Sequence, residues 1–146
     1  MPKLLLFAPC ERVILGQDNS VSLIVIIQQM QFQAPPGQPI PEGAGVIARF
    51  SVFSQWHKLP ADGDKIFEQR VILSIGDGNP VIESIAEFQM TERLHRMIAN
   101  IPIMPVLHPN EYGFKIFLRE KGQQDWGRVL MDYPFEIAHL NQLQLQ

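Results

Sequence analysis

The feature that most constrains this chain is its punctuation. Turn-forming residues gather in six clusters: Gly16-Gln17-Asp18-Asn19-Ser20, Ala34-Pro35-Pro36-Gly37-Gln38-Pro39, Pro60-Ala61-Asp62-Gly63-Asp64, Gly76-Asp77-Gly78-Asn79-Pro80, His108-Pro109-Asn110 and Lys121-Gly122-Gln123. Gly, Pro, Asn and Asp accept the dihedrals of tight turns. Between the clusters run segments rich in Val, Ile and Phe, the residue types that fit a pleated surface. The spacing predicts about eight strands: Lys3 to Ala8, Val21 to Phe32 with a break near Gln28, Val46 to Phe53, Ile66 to Ile75, Val81 to Met90, His95 to Met104, Tyr112 to Arg119 and Arg128 to Ile137. The seventh is the clearest, because Tyr112, Phe114, Ile116 and Leu118 alternate with Lys115 and Arg119. Val21 to Met30 also fits a buried helix, and Glu92 to Ile98 is the one further candidate for a helical turn. Strands without helix–strand alternation point to an all-β antiparallel sandwich. No repeat or compositional break divides the 146 residues, which are expected to form one domain with a polar, fraying tail at Asn141 to Gln146.

Charge and cysteine usage argue against several functions. The net charge is −3, from 12 Lys and Arg against 15 Asp and Glu. The nearest approach to a basic stripe is Arg93, His95 and Arg96, which is too sparse for a nucleic-acid or anionic-membrane footprint. The apolar run Leu4 to Ala8 is shorter than a signal-peptide core, and no window reaches the ~20 apolar residues of a spanning helix. A single cysteine, Cys10, offers neither an internal disulfide nor a thiolate zinc site and reads as a small buried hydrophobe. The expectation is a soluble, reduced, cytoplasmic protein without cofactor.

The segments Ala8-Pro9-Cys10-Glu11, Gln17-Asp18-Asn19 leading into Val21-Ser22-Leu23-Ile24, His108-Pro109-Asn110-Glu111-Tyr112-Gly113-Phe114, and Tyr133-Pro134-Phe135-Glu136-Ile137 together resemble a family of small bacterial proteins of unknown function. The resemblance spans essentially the whole chain. It implies an immunoglobulin-like β-sandwich of about seven to nine strands and brings no catalytic residues. In such a fold Tyr112 sits at a corner, its ring buried and its hydroxyl bonded to backbone.

No catalytic constellation stands out. His57, His95, His108 and His139 lack metal-ligand spacing with one another or with Cys10, which leaves no metal site expected. Ser22, Ser51, Ser54, Ser74 and Ser84 are outside any nucleophile elbow. Glu83 and Glu87 lie about 13 Å apart at ~3.3 Å per residue, too far to share a proton, and Arg70 is a suitable cross-strand partner. His57 with Asp62 and Asp64 forms a candidate polar site at the loop end, although Asp-Gly-Asp is also an ordinary turn.

Phe50 and Phe53 have opposite parity, so a regular strand turns one of them away from the core. Phe50, Phe53, Trp56 and Phe117 therefore form a candidate interface, unless the loop Ala34 to Gly45 covers it. The leading functional expectation is a non-enzymatic binding or assembly module that binds a protein, itself or another, with a homodimer as one form. A loop-based enzyme or metal- or sugar-binding domain is the alternative, and a structural component of a phage or secretion-type particle is a third.

Overall fold

The computed structural model describes residues 1–33 and 45–140; the segment 34–44 and the tail 141–146, which bear on the expected covering loop and frayed end, lie outside them. Nine strands form: β1 (Lys3–Leu15), β2 (Val21–Ile26), β3 (Gln29–Gln33), β4 (Gly45–His57), β5 (Ile66–Ser74), β6 (Ile82–Gln89), β7 (Leu94–Pro105), β8 (Asn110–Glu120) and β9 (Met131–Leu140). One sheet has the order β2-β1-β4-β7 and the other β3-β9-β8-β5-β6. The architecture is all-β, and the only helix among the described residues is a single 3-10 turn at Pro60–Asp62.

Two expectations need correction. The candidate helical turn at Glu92 to Ile98 is instead a bend at Glu92 and Arg93 followed by the first residues of β7. The antiparallel expectation fails at one pair, because β3 runs parallel to β9. The cause is a change of sheet within two residues, at the break expected near Gln28. Ile27 donates its N–H to the Pro9 carbonyl in the first sheet, and Gln28 accepts from the Glu136 N–H in the second. The crossing carries the direction of β2 into β3, and β9 runs the same way.

Alternation along each strand places one row of side chains between the sheets. The shared core takes Phe7, Phe50, Val52 and Trp56 from one sheet and Phe67, Leu73, Phe114, Ile116 and Phe135 from the other. Phe50 meets Phe114 edge-on at 6.1 Å and Phe135 in a stack at 6.3 Å. Each such ring removed from water contributes roughly 1.5–3 kcal/mol.

Buried polar groups cross this core with partners. Ser54 Oγ and the Trp56 indole N–H both donate to Gln69 Oε1, at 2.6 and 2.8 Å. Ser54 and Trp56 belong to β4 and Gln69 to β5, so one side-chain oxygen joins the two sheets. At one corner the Tyr112 hydroxyl donates to the His108 carbonyl at 2.9 Å, and the ring is buried, as the sequence suggests. Gly113 follows because the Asp132 carboxylate occupies the space a Cβ would need.

Replacing Gln69 with Leu leaves two buried donors unpaired. The expected loss is about 2–6 kcal/mol, since each of the two unsatisfied buried donors costs ~1–3 kcal/mol. Tyr112→Phe removes only one hydrogen bond and should cost about 1 kcal/mol. Urea denaturation of both variants checks the order, and a larger loss for Tyr112→Phe would contradict the role given to Gln69.

Candidate functional site

The aromatic residues expected at an interface are placed differently by the structure. Phe50 and Trp56 point between the sheets and belong to the core, with 3% and 0% of their surface exposed. Phe53 does have the opposite parity, yet it too is fully buried. It lies outside the main core, on the outer face of the first sheet, beside Ala8 of β1 and Ile98 of β7.

What lies over that outer face follows from register. Cys10 of β1 is level with Ser51 of β4, which is level with Asn100 of β7. Had β1 continued straight to Leu15, its turn would lie beyond Cys10, some 17 Å on at ~3.3 Å per residue. Instead the turn residue Asn19 accepts a hydrogen bond through its carbonyl from Arg96, four residues the other way along β7. Arg96 pairs with Gln55 and shares the outer face with Phe53. The β1–β2 hairpin therefore doubles back over the first sheet. The fold in it falls where Glu11 and Val25 drop out of register between Cys10↔Ile26 and Arg12↔Ile24. Val25 holds a φ of 53° there, a left-handed conformation that a β-branched residue adopts at a cost of roughly 1–2 kcal/mol. Cys10 is buried beside this bend, and burial raises its thiol above the ordinary range, which suppresses thiolate reactivity.

The hairpin turn is held by its own residues. Gly16 N–H donates to the Ser20 carbonyl at 2.8 Å, and Asp18 Oδ1 accepts from the Ser20 hydroxyl at 2.6 Å. That hydroxyl bond, followed by the Ser20 N–H, holds the Asp18 carboxyl below its usual value.

A groove of about 370 Å³ opens between this turn and the β6–β7 connection. Asn19 forms one wall, and Thr91, Glu92, Arg93, His95 and Arg96 supply the other. Arg93 Nε points to His57 Nε2 at 3.4 Å, a long contact. The His95 ring stacks on Phe88 with centroids 4.9 Å apart and planes 9° from parallel. Burial pushes its pKa below the ordinary 6.5, favouring the neutral ring. Arg96 Nε is buried and has no hydrogen-bond partner. The sequence shows Arg93, His95 and Arg96 as neighbours, but nothing local brings Asn19 to them from more than seventy residues away.

His57, Asp62 and Asp64 are not assembled into a site. Asp62 is buried, and its Oδ2 accepts the Leu59 N–H at 2.7 Å while Oδ1 lies 3.1 Å from the Met1 amino group. Its carboxylate caps the 3-10 turn. Asp64 is exposed and engaged through its backbone, its carbonyl accepting from Gln89 Nε2. The ordinary turn is thus what Asp-Gly-Asp builds. His57 faces Arg93 instead.

Phe117 lies on the outer face of the second sheet, half-buried rather than free. The Arg70 guanidinium sits over its ring at 5.4 Å, and the Arg119 guanidinium lies 3.9 Å from the Trp126 ring. Both cations are ion-paired, Arg70 to Glu83 at 2.6 Å and Arg119 to Glu68 at 2.5 Å. The Arg70–Glu83 pair matches the neutralisation expected from the strand parity.

One polar pair escapes sequence reasoning. Lys115 Nζ on β8 lies 2.8 Å from Ser74 Oγ on β5, both residues buried. The pair has the composition of a Ser–Lys nucleophile. Here Lys115 also donates to the Gly76 carbonyl, and Ser74 donates to the same oxygen at 3.2 Å. Those bonds fasten the β5–β6 turn, and Ser74 is not among the residues that line the groove beside Asn19.

Comparison with protein-family models, curated proteins and solved structures returns no match. The functional reading accordingly rests on the geometry.

His95 makes that geometry testable by pH. The unfolded chain takes up the His95 proton near pH 6.5, and the folded chain only at lower pH. Its contribution to stability is present above pH 6.5 and is lost as the pH falls through that value toward the folded pKa. In His95→Phe, which keeps a ring against Phe88, the decrease in Tm between pH 7.5 and 5.0 should be smaller than in the parent. Equal slopes would assign the acid sensitivity elsewhere.

Proposed function

We propose that this chain is a non-enzymatic binding and assembly module that recruits a protein strand to the free edge of β2, first of all that of a second copy of itself. The observation that carries this is the sequence of that edge. Val21–Ile26 reads Val-Ser-Leu-Ile-Val-Ile, with no charge and no proline, and it pairs with β1 alone. Exposed edge strands in natural proteins are normally guarded by Lys, Pro or short length, because their free N–H and C=O groups template pairing. Two of the other three edges follow that practice, β6 with Glu83 and Glu87 and β7 with Arg96, Pro102 and Pro105; the third, β3, is uncharged, but it is only five residues long and three of those are Gln. The unguarded strand sits on a hairpin with exposed Ile14, Leu15, Val25 and Ile26, of which Val25 is 61% exposed. A six-residue segment of this kind left open is an aggregation hazard, whereas one closed by a partner strand is an interface.

The module is read as an immunoglobulin-like sandwich of the small bacterial family it resembles, working in the cytoplasm. The two packed sheets and the Tyr112 corner support that reading, and the parallel β3–β9 edge is a variation on it. This placement of the interface replaces the one expected from Phe50, Phe53 and Trp56, which the fold uses internally. Among the described residues no helix is long and apolar enough to cross a membrane.

Light scattering after size exclusion at tens of micromolar is the direct test. The parent chain should run as a dimer, and Val25→Lys/Ile26→Lys should run as a monomer of unchanged circular dichroism. A monomeric parent, or a dimer that persists in the double variant, overturns the assignment.

A further inference from the structure

We propose that the groove between the β1–β2 turn and the start of β7 is a binding site for a small phosphate-bearing ligand, held by the guanidinium groups of Arg93 and Arg96. Three independent observations converge on it.

The first is charge without partners. Arg70, Arg119, Lys65 and Lys121 each face a carboxylate across the second sheet. Among the described residues Arg93 and Arg96 have none; Lys3, Arg12, Lys58, Lys115 and Arg128 also lack one, but of these cations only Arg93 and Arg96 line the groove, in a chain whose net charge is −3. Glu92 lines the same groove yet pairs with neither. Cations left unpaired in an acidic protein, on one wall of one groove, present a local positive field to solvent.

The second is the orphaned donor. Arg96 is half-buried under the hairpin turn. One of its terminal nitrogens is used by the Asn19 carbonyl, while its Nε is shielded from solvent without a partner. Leaving such a donor unmet costs ~1–3 kcal/mol, a cost that an oxyanion in the groove removes once the side chain turns enough to uncover Nε. A guanidinium presents its donors in a planar fork that matches two phosphate oxygens, so an anion reaching Nε would be gripped rather than merely attracted.

The third is shape and lining. A volume of about 370 Å³ falls in the range of small-molecule sites. The Thr91 side chain adds a hydroxyl, and the stack of the His95 ring on Phe88, on the inner side of β7, fixes the strand that carries Arg96. His57 touches Arg93 from β4 and limits its side-chain freedom. The site accepts one compact anion, since Arg93 and Arg96 are the two cations that line it.

The site is independent of the β2 edge, since its anion-binding groups lie on β7 and its approach. Nuclear magnetic resonance titration with inorganic phosphate, at constant ionic strength in chloride, tests it. The expected result is a saturable shift confined to the amides of 91–96 and of the turn at Asn19. Arg93→Gln and Arg96→Gln should each weaken binding about tenfold, the equivalent of one charge-assisted hydrogen bond, and Arg128→Gln on the β8–β9 connection should leave it unchanged. Glycerol phosphate in a parallel titration separates the two sources of the group: tighter binding of the ester assigns a phosphorylated metabolite, and exclusion of the ester with retention of phosphate assigns the free anion. Shifts that do not saturate, or equal binding by parent and Arg93→Gln, overturn the site. Arg93 is exposed, so that variant remains informative even if Arg96→Gln unfolds.

Discussion

Among the described residues the side-chain hydrogen bonds that join the two sheets both end on a single oxygen. Gln69 Oε1 accepts from both Ser54 and Trp56, inside a core otherwise built from hydrocarbon and aromatic rings. Apolar packing is non-directional and tolerates sliding, whereas a buried donor tolerates only the geometry that satisfies it. With Trp56 pinned to β5, β4 is aligned against the second sheet, and β1 and β7 are aligned with it through their registers. The outer face that carries Phe53 and Arg96 is thereby placed as well.

That outer face is where this fold differs from a plain two-layer arrangement. The hairpin bends back at Glu11 and Val25 on the side of the sheet where Phe53, a large apolar residue of the wrong parity, is fully buried. The bend requires a left-handed Val25 and turns the remaining hairpin residues, Ile14, Leu15 and Ile26, toward solvent. Burial on one side and exposure on the other are two consequences of the same fold in the backbone. The apolar edge assigned to assembly and the cationic groove assigned to a phosphate thus lie along one hairpin, at its strand and at its tip.

Period-two alternation was legible from residues alone wherever both faces of a strand differ in polarity. Tyr112 to Arg119 shows this, as does the corner that ends in the Tyr112 hydroxyl bond. The break near Gln28 was legible too, because the polar pair Gln28-Gln29 interrupts an otherwise apolar run. The extent of β1 to Leu15, the parallel partner of β3 and the doubling back of the hairpin were not legible. Each depends on a pairing between residues distant in the chain, and no local pattern reports it. For the same reason the parity of Phe53 was read correctly and its environment was not: alternation gives the direction of a side chain, and only packing gives what it meets.

Composition, turn chemistry and alternation by themselves determined that this chain is all-β, where its turns fall and which rows of side chains seek a core. Tertiary structure alone decided that Asp62 serves a turn, that Trp56 joins two sheets, and that Asn19 and Arg96 face one groove. The physical reason is range. Dihedral preference and side-chain parity act over a few residues, whereas burial and hydrogen-bond satisfaction are settled among groups that the folded backbone brings together from dozens of residues apart.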